Sequence, residues 1–304
     1  MPRSNFSTSA PEALYALALG DGGCAIVVGT AKNAGKTTAF NALRAVAHRR
    51  GIPIAVTSIG RDGEPADALD SEPKPQVRLP AGTLVALAAG LVPRSPALAI
   101  VGSGAASALG TTVFARVVLP ATCQLAGPPA AGAMRATIDR LRELGSGTVL
   151  VDGAIDRIAV LAGGDDAVIV ATGAASGATV ARVAAVAAEA VARLTVPGRD
   201  PARERARVVL VAGALDARDA DELLANARDA TVVVDDPTRI AIRGALLAKL
   251  RAVVDLRCER PLRIVACTTS PVGRGVTLPP RELVEAVARA TGLPTFDVVA
   301  DLVA

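Results

Sequence analysis

The sequence predicts an α/β protein with a mostly parallel sheet wrapped by helices and a β-rich insertion near its first third. Three observations predict it. Short apolar runs alternate with segments of helical period along most of the chain. The first apolar run, 24–28, passes directly into a glycine-bearing loop and then a helical pattern over 35–50. Between 76 and 127 the helical period disappears, and brief β-like runs are broken by glycine and proline.

Composition narrows the class further. The chain has 304 residues and 51% are hydrophobic, enough to bury a sizeable core. Aromatics are only 2%, so that core is aliphatic and no platform exists for stacking nucleic-acid bases. The formal charge is +4 with arginines scattered or at helix ends, so nucleic acid is not an expected partner. The opening MPRSNFSTSA lacks an apolar signal core, and 11–19 is too short to cross a bilayer, so the expectation is a soluble cytoplasmic protein with no membrane contact. Cys24, Cys123, Cys258 and Cys267 are dispersed, which suits buried thiols in a reducing compartment better than disulfides or a metal site. The single histidine, His48, falls at the end of the first long helix, where it complements the helix C-terminus.

In chain order, 11–20 reads as a short leading helix and 24–28 as the first strand. The decapeptide that follows, GTAKNAGKTT, fits G-x-x-x-x-G-K-[ST] and stands between a strand and a helix, the context a phosphate-binding loop requires. Its ten residues, Gly29, Thr30, Ala31, Lys32, Asn33, Ala34, Gly35, Lys36, Thr37 and Thr38, are the candidate nucleotide cradle. Gly29 and Gly35 let the backbone turn its N–H groups toward phosphate oxygens, and the helix adds the positive end of its dipole. Lys36 would reach the β- and γ-phosphates of ATP, and the Thr37 hydroxyl would ligate Mg²⁺.

Gly51 ends the helix, and the second strand over 53–59 opens into a loop carrying Asp62 and Glu64. Ligands of parallel α/β sheets bind at strand C-termini, so either acid could hold Mg²⁺ through water or position an attacking water, or the loop is a solvated turn. The insertion, about 70–127, has strand-like runs at 76–79, 83–88, 97–101 and 111–119, and is the natural place for a partner or substrate. A helix over 129–144 leads to a buried strand at 147–151 that ends in Asp152, with Asp156 close behind. An apolar strand ending in an acid is what a Walker B carboxylate needs, so Asp152 joins Lys36, Asp62 and Glu64 as the catalytic candidates, and Thr37, Asp62 and Asp152 are the metal candidates.

Strands at 167–171, 207–212, 231–234, 262–267 and 295–299 alternate with helices over 179–194, 220–228, 238–250 and 280–290. Residues 1–196 form the nucleotide-binding core, and 197–304 continue as an α/β half, either a second unit or an extension of the same sheet. Loops at 172–177 and 268–271 are either further nucleotide contacts or ordinary turns. No N-K-x-D motif appears, which favours ATP over GTP.

The loop GTAKNAGKTT, with a threonine directly after its first glycine, resembles that of dethiobiotin synthetase and related SIMIBI-class P-loop NTPases, as does the strand-Asp-Gly at Asp152. This resemblance spans the first strand to about 170. Many members carry a second, signature lysine after the first glycine; here Thr30 stands in that place and the extra lysine, Lys32, is displaced, which puts an inter-subunit lysine finger in doubt, while a homodimer of this chain stays an open expectation. The combination AKNAGKTT, TSIGRDGE, KPQV, GTLVA, QLAGP and VDGAIDR further resembles the P-loop subunit of the reactivase of lysine 5,6-aminomutase, an adenosylcobalamin enzyme. That resemblance implies an ATP-driven, chaperone-like factor that works with a second ATPase subunit to release damaged cobalamin from the aminomutase. The residues alone also admit a biosynthetic ligase or kinase of the dethiobiotin synthetase type, or a regulatory nucleotide-binding module with negligible turnover.

Overall fold

A computed structural model describes residues 8–20, 22–59, 76–93, 95–107, 110–128, 130–153, 158, 162–273 and 275–304. Asp62, Glu64 and Asp156 lie outside them. Helix α1 (Ala10–Leu19) precedes β1 (Gly23–Gly29), α2 (Lys36–Arg49) and β2 (Ile54–Ser58). Gly51, at φ +66°, sits just past α2 in the left-handed conformation that closes a helix without steric cost. The β-rich region supplies β3 (Gln76–Leu79), β4 (Leu84–Ala88), β5 (Leu98–Ser107), β6 (Gly110–Val117) and β7 (Ala121–Gln124). Then come α3 (Ala131–Glu143), β8 (Thr148–Asp152), β9 (Ala167–Gly173) and α4 (Val180–Leu194). The strands β10 (Val208–Leu210), β11 (Thr231–Val234) and β12 (Asp255–Cys258) alternate with α5 (Ala217–Asn226) and α6 (Gly244–Val253). The chain closes with β13 (Arg263–Ser270), the short pair β14 (Val272–Gly273) and β15 (Val276–Thr277), α7 (Pro280–Thr291), β16 (Thr295–Asp297) and β17 (Leu302–Val303).

Ten strands form one mixed sheet in the order β17-β16-β13-β9-β1-β8-β2-β4-β6-β5. Every pairing from β16 to β4 is parallel, and the antiparallel pairings lie at the margins. The period-2 alternation of each central strand divides it between two cores. Cys24, Ile26 and Val28 of β1 face a core closed by α3, α4 and α7, whereas Ala25 and Val27 face one closed by α1 and α2. The chain is therefore an α/β protein with a large, mostly parallel sheet flanked by helices on both faces.

The β-rich region extends this sheet: β4 pairs with β2, and β6 and β5 follow outward, while β3 and β7 make a separate antiparallel ribbon. Phe114 on β6 lies over Gly104, whose missing Cβ would stand 3.0 Å from the ring. Further on, β10, β11 and β12 form their own parallel sheet over a third core running from Val196 to Cys258. With β13 the chain returns to the large sheet, beside β9.

One helix is shorter than its periodicity suggests. The expected helix over 238–250 starts only at Gly244. Leu215 and Ile240 form a parallel bridge, in which the Leu215 amide donates to Arg239 and the Ala241 amide to Leu215. That bridge holds Ile240 extended, and Ile242 reaches the core from irregular backbone.

Candidate functional site

The connections that leave two neighbouring central strands diverge. After β1 the chain crosses to α2 on one face of the sheet, and after the adjacent β9 it crosses to α4 on the other. Neighbouring parallel strands whose connections diverge leave an opening at their C-terminal ends, the usual place for a ligand in such sheets. The decapeptide 29–38 begins at that opening.

Its backbone is shaped by local constraints. Gly35, at φ +94°, is the N-cap of α2, and the site it leaves for a Cβ is 2.8 Å from the Ser270 Cβ at the end of β13. Both the dihedral and the close approach exclude a side chain there. Asn33 also has positive φ, +62°, a conformation its short polar side chain tolerates. The helix starts with neither a side-chain cap nor an acid in its own first turn, so its N-terminal amides and dipole are not offset from within the helix. Lys36, on the first turn, folds back over the start of the loop: the missing Gly29 Cβ would lie 2.8 Å from Lys36 Cγ and 3.0 Å from Cδ. Thr37 and Thr38 are exposed, as are Lys32 and Asn33; Ala34 is buried.

Thr30 is tied to β9 and the turn that follows it. Its amide donates to Ala171 O at 2.9 Å, and its hydroxyl lies 3.0 Å from Thr172 Oγ1 and 2.7 Å from Ser176 Oγ. The two later loops singled out in the sequence thus both abut the decapeptide, one through Thr172 and Ser176, the other through Ser270. Sequence supplied only a weak signal for them, hydroxyl residues and glycines just past an apolar strand, and none for which loop residue each would meet.

Asp152 ends β8, on the opposite side of β1 from β9. It is in register with Val27 of β1 and Ser58 of β2. Its Oδ1 is buried without a hydrogen-bond partner. Burial pushes its carboxyl above the ordinary carboxylate value, opposed by the positive charge of Lys36 and by the Gly153 N–H. The chain packs tightly just beyond: the missing Gly153 Cβ would fall 2.4 Å from Ile26 Cδ1, and the missing Gly127 Cβ 2.3 Å from Ser58 O.

Among the described residues no group of three or more His, Cys, Asp or Glu side chains is placed to hold a metal ion. All four cysteines are buried and free. Burial pushes Cys258 up to about 12 and Cys267 up to about 11, so neither is a thiolate near neutrality. His48 is exposed in the last turn of α2. Among the described residues no helix is long and apolar enough to cross a membrane. Comparison with protein-family models, with curated proteins and with solved structures finds no match to this chain.

Proposed function

We propose that the chain is a cytoplasmic P-loop ATPase that binds Mg²⁺-ATP in loop 29–38 and uses its hydrolysis to drive a change in a partner protein. One observation carries the reading. A lysine folded over the first glycine of the loop, at a helix start without a side-chain cap, stands one strand from a half-buried carboxylate whose buried Oδ1 has no partner. Leaving a buried acceptor unmade is unfavourable, so a position that retains one suits a group that gains a cation.

The roles follow from chemistry. The amides at the start of α2 bind phosphate oxygens, and Lys36 orients the β- and γ-phosphates. Thr37 and Asp152 fit Mg²⁺ because both offer hard oxygen donors, and with so few protein ligands the ion would keep its water and phosphate oxygens. Held by Thr37 and Asp152, Mg²⁺ would supply the positive charge that offsets charge developing on the phosphates. Asp62 or Glu64 is proposed to position the attacking water.

The proposed partner, from the resemblance carried by the sequence motifs, is an adenosylcobalamin-dependent aminomutase, with a second ATPase subunit beside it. The test is isothermal titration of the full chain with Mg²⁺-ATP, followed by hydrolysis with and without the aminomutase. Lys36→Ala is expected to abolish binding or turnover, and retained ATPase in that variant would overturn the site. Turnover that requires a small carboxylate or amine instead of a protein would move the assignment to a ligase or kinase. Binding without turnover under either condition would leave a regulatory module.

A further inference from the structure

Ser176 lies on a turn of 3-10 helix, Ala174–Ser176, that is far from loop 29–38 in sequence yet touches it. The turn is braced from several directions. Ala174 and Ala175 are buried, and Gly273 of β14 packs so closely that its missing Cβ would be 2.9 Å from the Ala175 amide nitrogen. Gly173, just before the turn, approaches Ser270 so closely that its missing Cβ would lie 2.2 Å from Ser270 O. The Ser176 hydroxyl is therefore presented from a rigid support.

It meets Thr30. A hydroxyl has one proton to give and can accept as well, so the bonds can run in one direction through the three groups. Ser176 donates to Thr30 Oγ1 across 2.7 Å, and Thr30 donates to Thr172 Oγ1 across 3.0 Å. Thr172 is fully buried on β9, so the chain of hydroxyls ends in the sheet. Thr30 follows Gly29 directly, and Gly29 is the residue over which the Lys36 stem passes. Whatever fixes Thr30 fixes Gly29, and whatever fixes Gly29 sets the path of Lys36.

We infer that Ser176 and Thr172 are positioning residues for the Lys36 ammonium, acting through the Thr30 hydroxyl. The inference rests on the proposed reading of 29–38 as an ATP site and adds to it a role for residues outside the loop. Loss of the Ser176 hydroxyl leaves the Thr30 amide bonded to Ala171, so the loop stays attached but its first residues loosen.

The experiment is titration of the full chain with Mg²⁺-ATP and with Mg²⁺-ADP, alongside thermal unfolding without nucleotide. Ser176→Ala should raise the Kd for ATP by about two- to ten-fold, the range of one hydrogen bond. It should raise the Kd for ADP less, because ADP lacks the γ-phosphate that Lys36 reaches. Ser176→Thr keeps the hydroxyl and should bind ATP within about two-fold of the wild type. Thr30→Val combined with Ser176→Ala should lose no more than the worse single variant, since both break one chain of hydrogen bonds. A lowered Tm in Ser176→Ala with an unchanged ATP-to-ADP preference would mean a structural role only and would overturn the inference. So would additive losses in the double variant. Lys36→Ala separates the two layers of argument: if it loses ATP while Ser176→Ala binds normally, the positioning role falls and the ATP site stands. If Lys36→Ala binds as the wild type does, both fall.

Discussion

Replacing Gly29 by alanine should separate stability from binding. The added methyl would stand 2.8 Å from Lys36 Cγ, 3.0 Å from Cδ and 3.2 Å from Ala31 O. Carbon atoms rest about 3.5–4.0 Å apart, so the lysine stem must move by about 1 Å. The stem is flexible and half-buried, so it can give way. The change in folding stability should stay within about 1 kcal/mol, helped by the lower chain entropy of alanine in the unfolded state. The ammonium, however, would lose its place over the loop. A charge-assisted hydrogen bond is worth about 1.5–3 kcal/mol, so the Kd for Mg²⁺-ATP should rise about 10- to 150-fold. Urea unfolding gives the first quantity and calorimetric titration the second. Binding within two-fold of the wild type would refute the claim that the Lys36 path across Gly29 matters. A stability loss of several kcal/mol would refute the packing described around it.

Asp152→Asn should stabilise the nucleotide-free protein by about 1 kcal/mol near neutral pH, because it removes a partly buried charge with an unpaired oxygen. Burial raises the folded-state pKa above 3.8, so ionisation of Asp152 subtracts stability as pH climbs from 3.8 to that raised value and changes nothing further above it. The wild-type-minus-variant difference in unfolding free energy should widen through that window, and parallel pH profiles would contradict the shift. The same variant should weaken the Mg²⁺ dependence of ATP binding more than nucleotide binding itself, as read by titration over a range of Mg²⁺ concentrations. Just past β11, Asp236 is fully buried and accepts from the Thr238 amide at 2.9 Å and from Arg260 at 3.1 Å. Asp236→Ala should cost about 2–3 kcal/mol in urea unfolding, whereas Asp235→Ala, at an exposed pair with the same arginine, should cost under about 1 kcal/mol. Equal losses would mean that burial does not set the difference.

The strand–loop–helix unit around Gly29 was legible in the sequence because its signals are local. An apolar run, two glycines at fixed spacing and an amphipathic helix fix β1 and α2 to within a residue at most boundaries. The same holds for the apolar strand that ends in Asp152. Which sheet a strand joins is not a local property. Hydrophobic period alone does not say that β4 would pair with β2, or that β10 to β12 would form a sheet apart from β13. The helix expected from 238 lost its first turns to a bridge with Leu215, a contact across loops that periodicity does not register. In the site, the pairing of Thr30 with Ser176 spans 146 residues, and a serine in a glycine-rich turn carries no mark of it.

The smaller sheet is reached and left at one seam. The chain departs after α4, builds three strands that form a sheet of their own, and re-enters as β13 alongside β9. Such an excursion is a closed circuit: its start and finish are adjacent, so its contents can drift in length or surface without altering any strand on the main path. The seam itself has no such freedom, because β9 and β13 carry Thr172, Ser176 and Ser270 at their tips or just beyond. Divergence among descendants of this chain should therefore accumulate in the appended lobe while the two strands that bracket it stay fixed.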